Sequence, residues 1–146
     1  MNKKEQAESL FLNGYNCAQA VLCAFEKELG LNHKTAMMLA SSFGGGMGRM
    51  REVCGAVSGM FMVAGLLYGY DETSPKEAKA EHYALIRELA EQFKAKTGSI
   101  LCRDLLDKKA IVGGLPEERT PEYYQTRPCA YLVGLAAEIT ENLTNR

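Results

Sequence analysis

The sequence predicts an all-α fold: an up-and-down helical bundle of about five to six helices with a central apolar, glycine-rich helix. Apolar residues recur at helical spacing, glycines follow the predicted helix ends, and no segment shows the alternation typical of a strand. The 146 residues, 47% of them hydrophobic, are enough for a substantial core. No linker or internal repeat divides them, so we expect a single helical domain over residues 1–146.

Capping residues and glycines set the predicted helix ends. Asn16, with Gln19 three residues later, has the pattern of a capping box. Ser74-Pro75-Lys76-Glu77 is a strong start for what we expect to be the longest helix. The predicted helices cover residues 3–13, 17–29, 33–43, 52–69, 75–97, 99–106 and 128–143, of which the first and sixth are short. Residues 108–127 form a long loop, a kind of segment that often covers a functional site.

Composition argues against several classes of protein. The net charge is −1 and the cations are spread along the chain, whereas nucleic-acid binding needs a concentrated basic face. Residues 53–70 lack charge over 18 positions, but five of the first seven are small or polar. They therefore favour a buried helix over a membrane span. The charged N-terminal residues lack the apolar stretch of a secretory signal, so we expect a cytoplasmic location.

Five cysteines in a reducing compartment indicate metal or redox chemistry rather than structural disulfides. Four of them fall in the first turns of predicted helices: Cys17, Cys54, Cys102 and Cys129. Free backbone N–H groups and the helix dipole favour a negatively charged sulfur there. Because short connections make successive helices antiparallel, we expect these four to meet at one end of the bundle. Cys23 lies mid-helix on an apolar stretch and is predicted to be a buried core residue.

Arginines stand close in sequence to three of the four cysteines: Arg49, Arg51, Arg103 and Arg127. Their charges would stabilise thiolates or a net-negative cluster. Gly55 follows Cys54 directly, and Gly45 and Gly46 lie in the preceding glycine-rich loop. Because glycines leave room for a backbone or an inorganic group to approach, these three are candidate cofactor-binding residues. The loop lacks both a preceding strand and a Gly-Lys-Ser/Thr sequence, which argues against a nucleotide site.

The remaining chemistry-bearing residues have ordinary interpretations. His33 and His82 lie on predicted helices with no partner at ligand spacing, so we expect structural roles for both. Glu117 and Glu118 are expected to be solvated charges of the long loop. The six methionines between residues 37 and 62 are expected to fill the core.

Residues 54–59, CGAVSG, resemble the motif of the C_GCAxxG_C_C family, which is named for this motif and three further cysteines. The resemblance extends through residues 14–21, 43–49 and 98–105 to Cys129. Members of that family look like redox proteins that hold an iron–sulfur cluster or another prosthetic group. The resemblance therefore implies that the four cysteines belong to one site, and Cys23 has no counterpart in it.

Several chemistries stay open for these four cysteines. The first is an iron–sulfur cluster with Cys17, Cys54, Cys102 and Cys129 as metal ligands, used for electron transfer. The second is a metal-free dithiol/disulfide oxidoreductase in which two of the same cysteines are catalytic. The third is a structural zinc site with all four as ligands, and the last is a protein-interaction module whose cysteines only pack.

Partners follow from these alternatives. An oxidoreductase or electron carrier needs either a redox partner protein or a small-molecule oxidant or reductant. We expect no nucleic acid and no membrane span. The exposed part of the apolar helix leaves a homodimer open.

Overall fold

The computed structural model of the protein describes residues 1–145. The fold is all-α, as predicted, and the described residues contain no strand. Two short 3-10 turns follow α4 and α8, at Ser41–Phe43 and Asp107–Lys109. The α-helices are α1 (Lys3–Leu12), α2 (Cys17–Ala24), α3 (Glu26–Leu29), α4 (His33–Ala40), α5 (Gly44–Met47), α6 (Gly55–Tyr68), α7 (Ala78–Thr97), α8 (Cys102–Leu106), α9 (Pro121–Thr126) and α10 (Cys129–Thr144).

The capping box at the start of α2 is present as the sequence predicts. The side chain of Asn16 accepts the backbone N–H of Gln19, and the side chain of Gln19 accepts the backbone N–H of Asn16. The helix that follows is shorter than expected, because the backbone of Phe25 (φ −107°, ψ 3°) leaves the helical region and separates α2 from α3. Phe25 places its ring in the core, where 1% of the residue is exposed. Tertiary packing thus divides a helix that looks continuous in sequence.

The longest helix, α7, begins three residues later than the Ser-Pro-Lys-Glu pattern predicts. The hydroxyl of Ser74 accepts the backbone N–H of Asp71 at 2.9 Å and is used in a turn instead of as a helix cap. Residues 75–77 form a turn, and α7 starts at Ala78. Leu89 and Phe93 are buried, whereas Tyr83 in the first half of α7 is 46% exposed. The fully buried residues of α7 therefore lie in its second half, while Leu85 and Ile86 pack against the core from the first half.

Helices α2, α6 and α10 pack against one another, with α1 on α10 and α2, α4 on α2, and α7 on α6 and α10. Their apolar side chains form one core cluster. Gly55 and Gly59 allow the close approach of α6 to α2, since a Cβ atom at Gly59 would lie 2.9 Å from the carbonyl oxygen of Ala18. The up-and-down order of the helices and the central place of α6 remain predictions. Across residues 1–145, no helix combines the length and the apolar character that a bilayer crossing requires.

The predicted loop over residues 108–127 contains a short helix, α9. Thr120 caps it by accepting the backbone N–H of Tyr123 at 3.1 Å, and Pro121 occupies the first helical position. The preceding segment exposes apolar side chains, such as Leu115 at 86%. Two of its carbonyls, those of Ile111 and Gly113, face the glycine-rich segment and accept hydrogen bonds from arginines. The loop is therefore fastened to the part of the chain that precedes Cys54.

Candidate functional site

The four predicted site cysteines all lie where helices begin. Cys17, Cys102 and Cys129 are the first residues of α2, α8 and α10, and Cys54 is the N-cap residue of α6. Each sulfur is therefore near backbone N–H groups that have no partner inside their own helix. A side-chain cap, that of Asn16, is present only before Cys17, while Pro128 directly precedes Cys129.

Short antiparallel pairing brings Cys54 and Cys102 together. Val53 and Leu101 form an isolated bridge. The N–H of Cys54 donates to the carbonyl of Ile100 at 2.8 Å, and the N–H of Cys102 donates to the carbonyl of Glu52 at 2.6 Å. The segments at the starts of α6 and α8 are thus hydrogen-bonded to each other. This pairing places Cys54 and Cys102 side by side, although they are far apart in sequence.

All four cysteines line one cavity of about 60 Å³, which we call the four-cysteine cavity. Cys54, Cys102 and Cys129 are at most 8% exposed, and Cys17 is half-buried. The candidate glycines Gly45, Gly46 and Gly55 line the same cavity. Its volume suits a small inorganic group, since pockets for drug-sized ligands run to roughly 300 Å³ or more. The other lining residues are Phe11, Asn16, Arg51, Leu105, Leu106, Arg119, Tyr123, Arg127 and Leu132.

Gly46 and Gly55 are the glycines whose lack of a side chain shapes the cavity. Gly46 has φ +68°, and a Cβ atom there would lie 2.6 Å from the Cβ of Cys102. A Cβ atom at Gly55 would lie 3.0 Å from the Cβ of Cys17. Real Cβ atoms do not approach so closely without a shift of the neighbouring chain. These glycines therefore let the chain pass directly beside two of the thiols.

Arg51 is the arginine in closest contact with a cysteine. Only 4% of it is exposed, its Nη1 lies 3.6 Å from the Sγ of Cys102, and its Nε–H donates to the carbonyl of Ile111 at 3.0 Å. No hydrogen bond or ion pair joins its guanidinium to a carboxylate within the described residues. A buried cation with no carboxylate partner favours negative charge on the sulfurs beside it.

The other arginines near the cysteines differ in where they lie. Arg127 lines the cavity and pairs with Glu117 at 2.5 Å. Arg103 lies outside the cavity lining: it pairs with Glu52 at 3.6 Å, and 53% of its side chain is exposed. Arg49 donates from Nε to the carbonyl of Gly113 at 2.8 Å. The expectation of a freely solvated charge therefore does not hold for Glu117.

Sequence reasoning missed Arg119 and Tyr123, which also line the cavity. Arg119 donates to the carbonyls of Phe11 and Tyr15, both at 3.0 Å, and its guanidinium lies 4.3 Å from the centroid of the Phe11 ring. The ring of Tyr123 lies between Arg119 and Arg127, at 5.1 and 4.7 Å. Burial raises the pKa of Tyr123 to about 12, so its hydroxyl stays neutral. No local pattern marks Arg119, because its partners lie more than a hundred residues away.

Cys17 and Cys129 behave as a pair. The neighbouring Cys17 thiol lowers the pKa of Cys129, and Arg127, Arg119 and Arg51 lower it further. Cys129 and burial together raise the pKa of Cys17 well above its ordinary value. Of these two groups, Cys129 is the one that ionises first and Cys17 is the one that keeps its proton.

The other two thiols are held neutral chiefly by burial. Burial raises the pKa of Cys54 to about 12, although the backbone N–H groups of Ala56 and Val57 oppose the shift. Burial also raises the pKa of Cys102, and the contact with Arg51 opposes it. Both would have to lose a proton on binding a metal, because thiolates are the ligating form.

An arginine-lined cleft of about 310 Å³ adjoins the four-cysteine cavity. The two share Arg51, Arg119, Arg127 and Tyr123. Arg49 completes a set of four guanidinium groups in the cleft lining, against the single carboxylate of Glu117. The cleft is therefore strongly positive in a chain whose net charge is −1. Anions would be attracted to this entrance to the thiols.

Cys23 lies apart from the cavity and is buried, at 6% exposure, as the sequence predicts. Two polar side chains nevertheless lie close to its sulfur. Its sulfur, a carboxylate oxygen of Glu26 and a ring nitrogen of His33 lie within 4.8 Å of one another, and within residues 1–145 this is the one such group of three. His33 has no partner at ligand spacing along the sequence, but the turn between α3 and α4 brings it close to Cys23, which is ten residues away. The ring of His82 packs edge-on against that of Tyr70, with 6.2 Å between the ring centroids.

The donor set of the four-cysteine cavity fits an iron–sulfur cluster. Such clusters take four thiolate ligands, and cations near the sulfurs lower the cost of their negative charge. A single tetrahedral Zn²⁺ fits less well, since its four sulfurs would lie about 3.8 Å apart. No three of the cavity's sulfurs, all of which are in the described part of the chain, lie within 4.8 Å of one another.

The chain also matches a protein-family model. Residues 15–143 match the model described as "Putative redox-active protein (C_GCAxxG_C_C)". No curated protein and no solved structure matches the chain. The matched range contains all four cysteines of the cavity, the three candidate glycines and the cavity arginines.

Proposed function

Because the chain belongs to the C_GCAxxG_C_C family of redox-active proteins, we propose that Cys17, Cys54, Cys102 and Cys129 form its redox centre by holding an iron–sulfur cluster that transfers electrons. The observation that carries the proposal is the convergence of these four thiols on one small cavity. An iron–sulfur cluster would supply a one-electron carrier in that place. The protein is then an electron carrier, or the electron-transfer part of an oxidoreductase.

The charges around the cavity support a negatively charged group. Four thiolates in a buried space repel one another, and ionising them there is costly unless cations are near. Arg51 contacts Cys102 directly, while Arg119 and Arg127 lower the pKa of Cys129. These arginines would hold the ligands in their ionised form and raise the reduction potential of the bound group.

The loop over residues 110–120 supports the same proposal by fixing two arginines near the cysteines. Its carbonyls at Ile111 and Gly113 accept hydrogen bonds from Arg51 and Arg49. The same two arginines flank the glycine-rich approach to Cys54. The loop therefore fixes Arg51 at the four-cysteine cavity and Arg49 at the adjoining cleft. Its own apolar side chains, such as Leu115, stay exposed.

A second candidate, a metal-free dithiol oxidoreductase, is supported by the opposite pKa shifts of Cys17 and Cys129, which line the same cavity. The Cys129 thiolate would attack a disulfide of an oxidised partner, forming a mixed disulfide and releasing one partner thiolate. Cys17, on losing its proton, would attack the Cys129 sulfur and release the second. Two electrons pass to the partner, and a Cys17–Cys129 disulfide remains.

Anaerobic expression and purification, followed by iron, acid-labile sulfide and zinc analysis, tests the proposal. The wild type and Cys23→Ser should retain iron and sulfide with charge-transfer absorption, and Cys54→Ser should lose both. The Cys23 variant is the matched control, because it removes a buried thiol that lies outside the cavity. Stoichiometric zinc that Cys54→Ser loses and Cys23→Ser retains would contradict the cluster and support a structural zinc site in the cavity. Absence of both metals with a reversible change in thiol count would support the dithiol enzyme.

A further inference from the structure

A second group of ligand-type side chains lies where α2, α3 and α4 meet, and we call it the Cys23 corner: Cys23, Glu26, His33 and Met37. Three of its ligand atoms lie within 4.8 Å of one another. The Sδ of Met37 lies 3.6 Å from the Sγ of Cys23, which adds a second sulfur to the group. None of the four residues lines the four-cysteine cavity. The corner is therefore a separate cluster of two sulfurs, one imidazole and one carboxylate.

The local chain geometry builds the corner from two pairs. Cys23 and Glu26 are three residues apart across the break at Phe25, and His33 and Met37 are one helical turn apart on α4. Gly30, with φ +62°, ends α3 in the left-handed conformation, and the side chain of Asn32 caps α4 by accepting the N–H of Thr35. The chain thus turns back within a few residues, and the two pairs face each other.

Hydrogen bonds already hold the imidazole in the orientation that a metal ligand needs. The Nδ1 of His33 lies 2.8 Å from a carboxylate oxygen of Glu26, and its Nε2 lies 3.4 Å from the hydroxyl of Tyr15. Histidines that bind metal through one nitrogen commonly donate the other N–H to a fixed partner. When Nδ1 is bound to metal, the hydroxyl of Tyr15 can accept the Nε2–H of His33 as that partner.

Charge and donor type select the kind of ion. Replacement of the Cys23 thiol proton by metal gives one thiolate, which with the Glu26 carboxylate balances a divalent cation. A thiolate with an imidazole and a carboxylate suits a borderline-soft ion such as Zn²⁺. The fourth position of a tetrahedral site would then be taken by water or by the thioether of Met37, which is a weak donor. We propose that Cys23, Glu26 and His33 form a second metal site, which takes a divalent cation of the zinc class and is separate from the four-cysteine cavity.

The ordinary alternative is a surface ion pair between His33 and Glu26. The side chain of His33 is 55% exposed, and exposed ion pairs contribute about 0–1 kcal/mol to stability. An ion pair alone gives no reason for saturable metal binding that depends on the buried thiol. The dependence on Cys23 therefore separates the two accounts.

Zinc titration of the full-length reduced protein, followed by NMR of the histidine rings, tests the site. The chain has two histidines, so His82 on α7 is an internal control. Beyond the zinc that the four-cysteine cavity takes up, we expect the His33 resonances to shift saturably with one added equivalent while those of His82 stay in place. Cys23→Ser should weaken this binding at least about tenfold, and His82→Gln should leave it unchanged.

Two results would overturn the site: equal shifts of both histidines, or equal zinc affinity at His33 in the wild type and in Cys23→Ser. Equilibrium dialysis gives an independent measurement, in which Cys23→Ser and His33→Gln should each bind one zinc fewer than the wild type. Cadmium NMR extends the comparison. Loss of the same cadmium resonance in Cys23→Ser and in Cys54→Ser would show one site instead of two and would also contradict the proposal.

Discussion

The four-cysteine cavity and the Cys23 corner hold equally buried sulfurs in opposite electrostatic surroundings. Cys129 and Cys23 are 8% and 6% exposed. The neighbouring Cys17 thiol lowers the pKa of Cys129, and Arg127, Arg119 and Arg51 lower it further. Burial and the neighbouring Glu26 raise the pKa of Cys23 to about 12. The difference teaches that burial alone does not decide which thiol ionises, because the neighbouring thiol and arginines lower the pKa of Cys129 against the effect of burial.

The largest expected effect is a difference in alkylation rate between the two regions. In the metal-free reduced protein at mildly alkaline pH, iodoacetamide should modify Cys129 about 50-fold faster than Cys23, because far more of Cys129 is thiolate. The rate at Cys129 should level off below pH 9, the ordinary thiol pKa, whereas the rate at Cys23 should keep rising toward pH 12. Peptide mass spectrometry measures both rates in one sample. Equal rates for the two thiols would contradict the opposite pKa shifts of Cys129 and Cys23.

A second prediction concerns the close approach of the backbone to the cavity. Gly46→Ala should lower the free energy of unfolding by about 2–4 kcal/mol, because its Cβ would collide with the Cys102 side chain and the Arg51 backbone. Gly48→Ala is the matched control. It has φ +57° with nothing within 4 Å of an added Cβ, so it should cost only about 1 kcal/mol for the left-handed conformation. Urea denaturation measures both, and equal losses would mean that the packing around Cys102 is loose.

A third prediction uses reagents that differ in charge. Relative to neutral iodoacetamide, anionic iodoacetate should favour Cys129 over Cys23 by a factor on the order of three, because arginines surround one thiol and a carboxylate adjoins the other. Arg127→Gln should reduce this preference, and added salt should reduce it as well. Arg103→Gln serves as the control, since Arg103 pairs with Glu52 outside the cavity. A preference that neither salt nor Arg127→Gln alters would show that the cleft does not steer anions.

The smallest expected effect is at Glu26. Because the Glu26 carboxylate raises the pKa of Cys23, Glu26→Gln should increase the alkylation rate of Cys23, on the order of twofold. Glu28→Gln is the matched control, because Glu28 pairs with Lys3 at 2.5 Å and does not contact the thiol. An unchanged rate in Glu26→Gln would indicate that burial alone keeps Cys23 protonated.

Local sequence signals predicted the part of the site that local structure builds. Asn16 and Gln19 cap α2, and Pro128 precedes α10, so Cys17 and Cys129 could be assigned to helix starts. The all-α class followed from helical periodicity in the same way. The start of α7 was predicted three residues too early, because the pattern does not reveal that the hydroxyl of Ser74 is engaged by the N–H of Asp71.

Long-range contacts account for what the sequence could not predict. Arg119 reaches the cavity through the carbonyls of Phe11 and Tyr15, which no spacing along the chain indicates. The Cys23 corner depends on the helix break at Phe25, and core packing of that ring sets the break. The sequence therefore indicated the cysteines of the site but not all of the residues that shift their pKa values.

A potentiometric redox titration tests the central claim most directly. Under anaerobic conditions, the absorption spectrum or thiol count of the protein is followed as the potential is varied, in the wild type, Cys23→Ser and Cys129→Ser. We predict one reversible transition that Cys23→Ser retains and Cys129→Ser loses, whether the centre is a cluster or a dithiol. A protein with no reversible transition, or one whose transition disappears with Cys23 and survives without Cys129, would contradict the assignment of redox chemistry to the four-cysteine cavity.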